Sequence, residues 1–145
     1  IAGFGNSPEE YKESVICNSP VCTISIDTSA FRSILTRYPD IALQAVHTFS
    51  KRLSLAYEMI GQMGGSSVEK RIAFVLLRLS KKLGRCWEDK TLIYTPLTRE
   101  DLASMVSTSV ESCSRVMSDM KRQGLVDTGR AWVAIRDAAA LESLL

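Results

Sequence analysis

The sequence predicts a mainly α fold with a small β component, in which a long amphipathic helix leads into a C-terminal winged helix-turn-helix. Three observations carry this prediction. Apolar residues recur along 42–63 at alternating spacings of four and three. Two segments with helix-capping signals are separated only by the polar triplet Ser107, Thr108 and Ser109. After Gly124, a turn containing Gly129 separates two short apolar runs. Of 145 residues, 46% are hydrophobic and 23% charged, the makeup of a globular protein able to bury a core. The longest unbroken apolar run, residues 72–77, falls far short of the roughly 20 residues that span a bilayer, so no membrane partner is expected.

Taken in order, residues 1–19 carry Gly3, Gly5 and Pro8 beside Glu9 and Glu10 and read as an irregular opening. Residues 21–26 alternate polar and apolar over their last four positions and read as a half-buried strand, ended by Asp27. A lone strand needs partners, which implies neighbours in residues 1–20 or upstream of Ile1. The chain also starts without Met, a basic segment or a small-residue cleavage site, and is expected to be a piece of something longer. Asp27 or Thr28 can cap a short helix to Leu35, and Pro39 suits the first turn of the next. Along that second helix, Ala42, Val46, Phe49, Leu53, Ala56, Ile60 and Met63 form a seam of period 3.5. An amphipathic helix packed on its own domain would show a wider face of period 3.6. The narrow seam favours a parallel homodimer.

Gly64 and Gly65 each give up about 1 kcal/mol of helix propensity and mark a boundary and a hinge. Ser67 can cap a helix from Val68 to about Leu83, with Ile72, Val75, Leu76 and Leu79 on one face and Gly84 at its end. Residues 85–97 read as extended, with a strand at 91–95. Thr98 and Asp101 form a capping box for a helix to Val106. The next helix runs from about Ser109 to Gln123, with Cys113, Val116, Met117 and Met120 inward. That leaves Val110, Glu111, Ser114, Arg115 and Ser118 outward. Leu125 and Val126, a turn at 127–130 and the run 132–135 complete a hairpin, the wing.

The geometry of such a unit points to nucleic acid, because a helix fits the major groove, Arg can bond guanine O6 and N7, and Glu can accept from cytosine N4. Charge agrees in sign: residues 66–145 hold 13 Lys and Arg against 10 Asp and Glu, whereas residues 1–65 hold 5 against 6. Each candidate also has a plainer reading. Glu111 can be the acidic member of a capping box begun by Thr108, and Arg115 can pair with Glu111 one turn away. Arg99, Lys121, Arg122 and Arg130 can be ordinary surface cations. Enzyme chemistry is not expected, since the chain has no Gly-rich phosphate loop, nucleophile elbow or cleft-like carboxylate pair. His47 is the sole histidine, and Cys17, Cys22, Cys86 and Cys113 lack metal-ligand spacing. The cysteines read as reduced thiols of a cytoplasmic protein, and no metal site is expected. Cys113 reads as a small inward hydrophobe, with redox sensing as the alternative.

The runs VEKRIAFVLLRLSKK, LTREDLASMVSTSVESCSRVMSDMKRQGLV and DTGRAWVAI resemble the DNA-binding half of the Crp/Fnr family of bacterial transcription regulators. The resemblance extends over essentially the whole chain. It implies that residues 1–37 end a cyclic-nucleotide-binding-like β-roll sensor domain, residues 38–64 form the dimerisation helix, and residues 65–145 form the DNA-binding domain. Glu111, Ser114 and Arg115 match the Glu-x-x-Ser-Arg motif of the Fnr branch with Val110 ahead, implying base contacts in a TTGAT-like half-site. The Crp branch has Arg where this chain has Val110, which disfavours a TGTGA-type site. Arg99, Ser109 and Ser112 match phosphate-contacting positions, and Arg130 a wing position. Double-stranded DNA, a second copy of the chain and RNA polymerase are the partners implied. Glu13 stands before Ser14 where the cyclic-nucleotide branch has Arg-Ser, and its carboxylate would repel a cyclic phosphate. Iron–sulfur cysteines of the Fnr branch would lie upstream of Ile1, and Cys17 and Cys22 do not replace them. The effector or cofactor stays unidentified. The rival to the regulator reading is a dimeric winged-helix module for protein–protein interaction.

Overall fold

The computed structural model describes residues 16–17, 20–129 and 132–145. Its elements are α1 (Thr28–Arg37), α2 (Pro39–Met63), α3 (Val68–Leu83), β1 (Gly84–Trp87), β2 (Lys90–Tyr94), α4 (Arg99–Met105), α5 (Val110–Arg122), β3 (Val126–Gly129), β4 (Trp132–Ile135) and α6 (Ala138–Ser143). Contacts divide the chain into two compact units, Ile1–Ala56 and Tyr57–Leu145. The division falls inside α2, ahead of Gly64 and Gly65.

In the first unit, Asp27 caps α1 by accepting from Ala30 N–H at 2.8 Å, and α1 runs two residues past the predicted Leu35. Neither α1 nor α2 contains a buried residue. The strand predicted at 21–26 is not formed: residues 20–27 have no regular structure, and Ile24 is 98% exposed. Alternation alone misled here, because without a neighbouring strand among the described residues the backbone groups have no ladder to join. No described helix is long and apolar enough to cross a membrane.

In the second unit, α3 is capped by Ser67, whose hydroxyl accepts from Lys70 N–H at 3.2 Å. The strands form one antiparallel sheet in the order β1-β2-β4-β3. Ile93 pairs with Val133 and Val126 with Ile135, which puts these side chains on the helix-covered face. There they join Ile72 and Leu76 of α3, Leu102 of α4, Met117 and Met120 of α5 and Leu141 of α6 in one buried core. On the other face, the indoles of Trp87 and Trp132 meet edge to face at 6.3 Å. Beside them Asp127 takes Lys90 at 3.0 Å and Arg136 at 3.5 Å.

Three details differ from the sequence prediction. The extended stretch 85–97 resolves into a hairpin whose first strand begins at Gly84. The wing turn predicted at 127–130 does not include 127–129, because Asp127, Thr128 and Gly129 pair with Ala134, Val133 and Trp132 and so belong to β3. Helix α6, capped by Asp137 through Ala140 N–H at 2.8 Å, was not anticipated.

Candidate nucleic-acid interface

The site is built from α4, the turn after it and α5. Thr98 opens α4 with a complete capping box: its hydroxyl accepts from Asp101 N–H at 3.0 Å, and the Asp101 carboxylate accepts from Thr98 N–H at 3.0 Å. That backbone donor and the Thr98 hydroxyl hold the Asp101 carboxyl below its ordinary value. Arg99, the first residue of α4, is half-buried. Leu102, Ala103 and Val106 seat the helix in the core. The chain then reverses through Ser107, whose φ of 49° is left-handed, and Thr108 N–H donates to Ala103 O at 3.0 Å.

Ser109 starts α5, its hydroxyl accepting from Ser112 N–H at 3.2 Å. Glu111 therefore stands one position before the residue that closes the cap, and the capping-box reading that paired it with Thr108 is not what forms. The inner face of α5 is Cys113, Met117 and Met120, all buried, with Val116 packed against the same core. Burial pushes the Cys113 thiol up, against the reactive thiolate, and the side chain packs in the core. The outer face presents Val110, Glu111 and Arg115 to solvent, with Ser112 and Ser114 half-buried. Among the described residues no ion pair joins Glu111 to Arg115, so both groups face outward unpaired with each other. Arg122 is engaged by Asp119 at 2.6 Å, while Lys121 beside it is exposed. Ser118 donates to Ser114 O at 2.8 Å, which turns its hydroxyl back onto the helix.

The structure thus gathers Val110, Glu111, Ser114 and Arg115 on one face, with Ser109 and Ser112 at its N-terminal end. Helix polarity at that end favours an anion. Arg130 lies outside the described residues, as do Glu13 and Ser14. Gly129, the last residue of β3, is seated under the Trp132 indole, where an added Cβ would meet the ring.

Along α2, Val46, Leu53, Ala56 and Ile60 of the seam are exposed, Ala42 and Phe49 are half-buried, and Met63 is 37% exposed. Leu43 and Tyr57, which the seam did not include, are exposed apolar residues at helical spacing from Val46 and Leu53. Sequence reading also missed Glu58, whose carboxylate pairs with Arg78 at 3.0 Å; a contact 20 residues apart leaves no local signal.

A family model for the Crp-like helix-turn-helix domain matches residues 70–144, just over half the chain. The transcriptional regulatory protein btr of Bordetella pertussis is 24% identical over 128 residues, covering 88% of this chain and 52% of that protein. The CRP-like cAMP-activated global transcriptional regulator of Mycobacterium tuberculosis is 26% identical over 121 residues, covering 83% and 54%. The chain spans about half the length of the curated relatives it matches. Among solved structures, FixK2 from Bradyrhizobium japonicum superposes with a TM-score of 0.73 at 19% identity, covering 82% of this chain and 59% of that one. A CooA mutant from Carboxydothermus hydrogenoformans gives 0.72 at 20%, covering 81% and 54%. At these identities the solved structures establish the fold. With the family model matched over α3 to α6, the chain belongs to the Crp/Fnr family, and its C-terminal unit is a Crp-like helix-turn-helix domain.

Proposed function

We propose that the protein is a sequence-specific DNA-binding transcription regulator that acts as a homodimer on a palindromic site. The observation that carries this reading is the two-sidedness of α5. Cys113, Met117 and Met120 lock one face into the core, while Glu111 and Arg115 stand exposed one turn apart on the other. With α5 in the major groove, Arg115 donates to guanine O6 and N7, Glu111 accepts from cytosine N4, Val110 packs on a thymine methyl and Ser114 bonds a neighbouring base edge. Ser109, Ser112, Arg99 and Arg130 hold phosphates and fix the register. Residues 38–64 pair two subunits through Ala42, Val46, Phe49, Leu53, Ala56, Ile60 and Met63, with half-sites about one helical turn, ~34 Å, apart. The exposure of Val46, Leu53 and Ile60 supports this pairing.

Residues 1–37 belong to a sensor domain whose effector shifts the balance between dispositions of the winged domains. Family membership supports RNA polymerase as a further partner and a cytoplasmic location. The reading is tested by titrating a duplex carrying inverted TTGAT-like half-sites at rising salt. Affinity should fall steeply, with a log–log slope of about −0.9 for each phosphate contacted. A flat response would favour the protein–protein interaction module instead.

A further inference from the structure

The last two turns of α2 are fastened to the helix-turn-helix unit. Glu58 accepts from Arg78 Nη1 at 3.0 Å, and the same guanidinium lies over the Phe74 ring at 5.8 Å. One turn further, Met59, Gln62 and Met63 line a small cleft shared with Phe74 of α3 and Met105 and Val106 of α4. At the helix end, Ser107 Oγ donates to Met63 Sδ at 3.7 Å. Ser107 is the residue on which the chain turns from α4 into α5.

Two costly local arrangements meet at this place. Ser107 holds a left-handed φ of 49° although it carries a Cβ. Arg71, which also lines the cleft, has its Nε buried without a hydrogen-bond partner. Features of this kind persist only where the surroundings over-determine them. Here Ser107 is held by its own N–H donating to Ser104 O at 3.2 Å, by the Thr108 N–H donating to Ala103 O at 3.0 Å, and on its side-chain side by Met63.

We propose that Met63 and Glu58 are positioning residues for the recognition helix: the end of α2 clamps the strained turn at Ser107 and so sets the angle at which α5 presents Glu111 and Arg115. A displacement of the end of α2 then reaches α5 through Met63 and Ser107. Only the consequence for DNA rests on the regulator reading, since the clamp itself is measurable without DNA.

The test is amide hydrogen exchange on the full chain, free of DNA, for wild type, Met63→Ala, Glu58→Gln and the double variant Met63→Ala with Ser107→Gly. The informative amides are Thr108, Ser112 and Cys113, which donate to Ala103 O, Ser109 Oγ and Ser109 O. Met63→Ala should speed their exchange tenfold or more while Ile93 and Val133 in the sheet keep wild-type rates. Glu58→Gln should act in the same direction and more weakly. Adding Ser107→Gly should restore protection, because glycine adopts the left-handed turn without being held there. Because Met63 also belongs to the pairing seam, the affinity readout is the recovery: the double variant should bind the inverted-repeat duplex at least threefold more tightly than Met63→Ala alone. Unchanged exchange at the three amides, an equal rise throughout the sheet, or failure of Ser107→Gly to rescue would each overturn the clamp. Local, rescued deprotection in a protein that binds no duplex upholds the clamp and counts against the DNA reading instead.

Discussion

Gly129 closes β3 directly beneath the Trp132 indole, and an added Cβ would fall 2.6 Å from Trp132 Cζ2 and nearer still to Cε2 and Nε1. The Gly129→Ala variant must therefore push the ring off its seat. Displacing a packed ring costs about 1–3 kcal/mol. Replacing glycine where alanine fits without strain returns about 0.4–1 kcal/mol through the unfolded chain. The difference spans about 0 to 2.6 kcal/mol, a net destabilisation of Gly129→Ala centred at about 1.3 kcal/mol. In a Trp132→Ala background the obstacle is gone, and the same substitution should be neutral or stabilising. Urea unfolding of the four proteins gives the coupling from a double-mutant cycle, expected at about 1–3 kcal/mol. Equal destabilisation by Gly129→Ala in both backgrounds would refute the seating of Trp132 on Gly129.

Two further outcomes follow from the packing and the electrostatics. Met117 is 1% exposed on the inner face of α5, so Met117→Ala should cost about 2–5 kcal/mol of stability by urea unfolding while leaving base preference unchanged in the folded protein. Asp101 and Asp127 are held below the ordinary carboxylate value, Asp101 by Thr98 and Asp127 chiefly by Lys90. Their contribution to stability is thus present above about pH 4 and is lost as pH falls through the lowered values. Thermal melts from pH 6 to pH 2 should show a fall that Asp101→Asn and Asp127→Asn each flatten; an equal fall in both variants would contradict this assignment.

What the sequence disclosed and what it hid follow from the range of the interactions involved. The caps of α1, α3 and α4 are local bonds between residues three apart, at Asp27, Ser67 and Thr98, and such bonds leave a signature in residue type, whereas the run Ser107, Thr108 and Ser109 offers several capping side chains and the sequence favoured Thr108 where Ser109 caps α5. The inner face of α5 was legible for a similar reason, since Cys113, Met117 and Met120 recur at helical spacing. Strand limits depend on partners. Asp127 and Gly129 look like turn residues, yet pairing with Ala134 and Trp132, and the ion pairs of Asp127 with Lys90 and Arg136, draw them into β3. Conversely, alternation at 21–26 produced no strand because no partner strand is present among the described residues. Helix α6 has six residues, too few for a periodic signal, and its burial of Leu141 depends on the core already formed by α3. The contact of Met63 with Ser107 joins residues 44 apart and has no trace in local pattern.

The outward face of α5 is the part of the account on which its functional reading stands, and base discrimination by Arg115 examines it. Wild type and Arg115→Ala are to be titrated with an inverted-repeat duplex and with the same duplex altered at the guanine of each half-site. Wild type should prefer the intact duplex, and Arg115→Ala should lose about 1–3 kcal/mol of affinity per half-site and bind both duplexes alike. An Arg115→Ala protein that still prefers the intact duplex as strongly as wild type does would contradict the account.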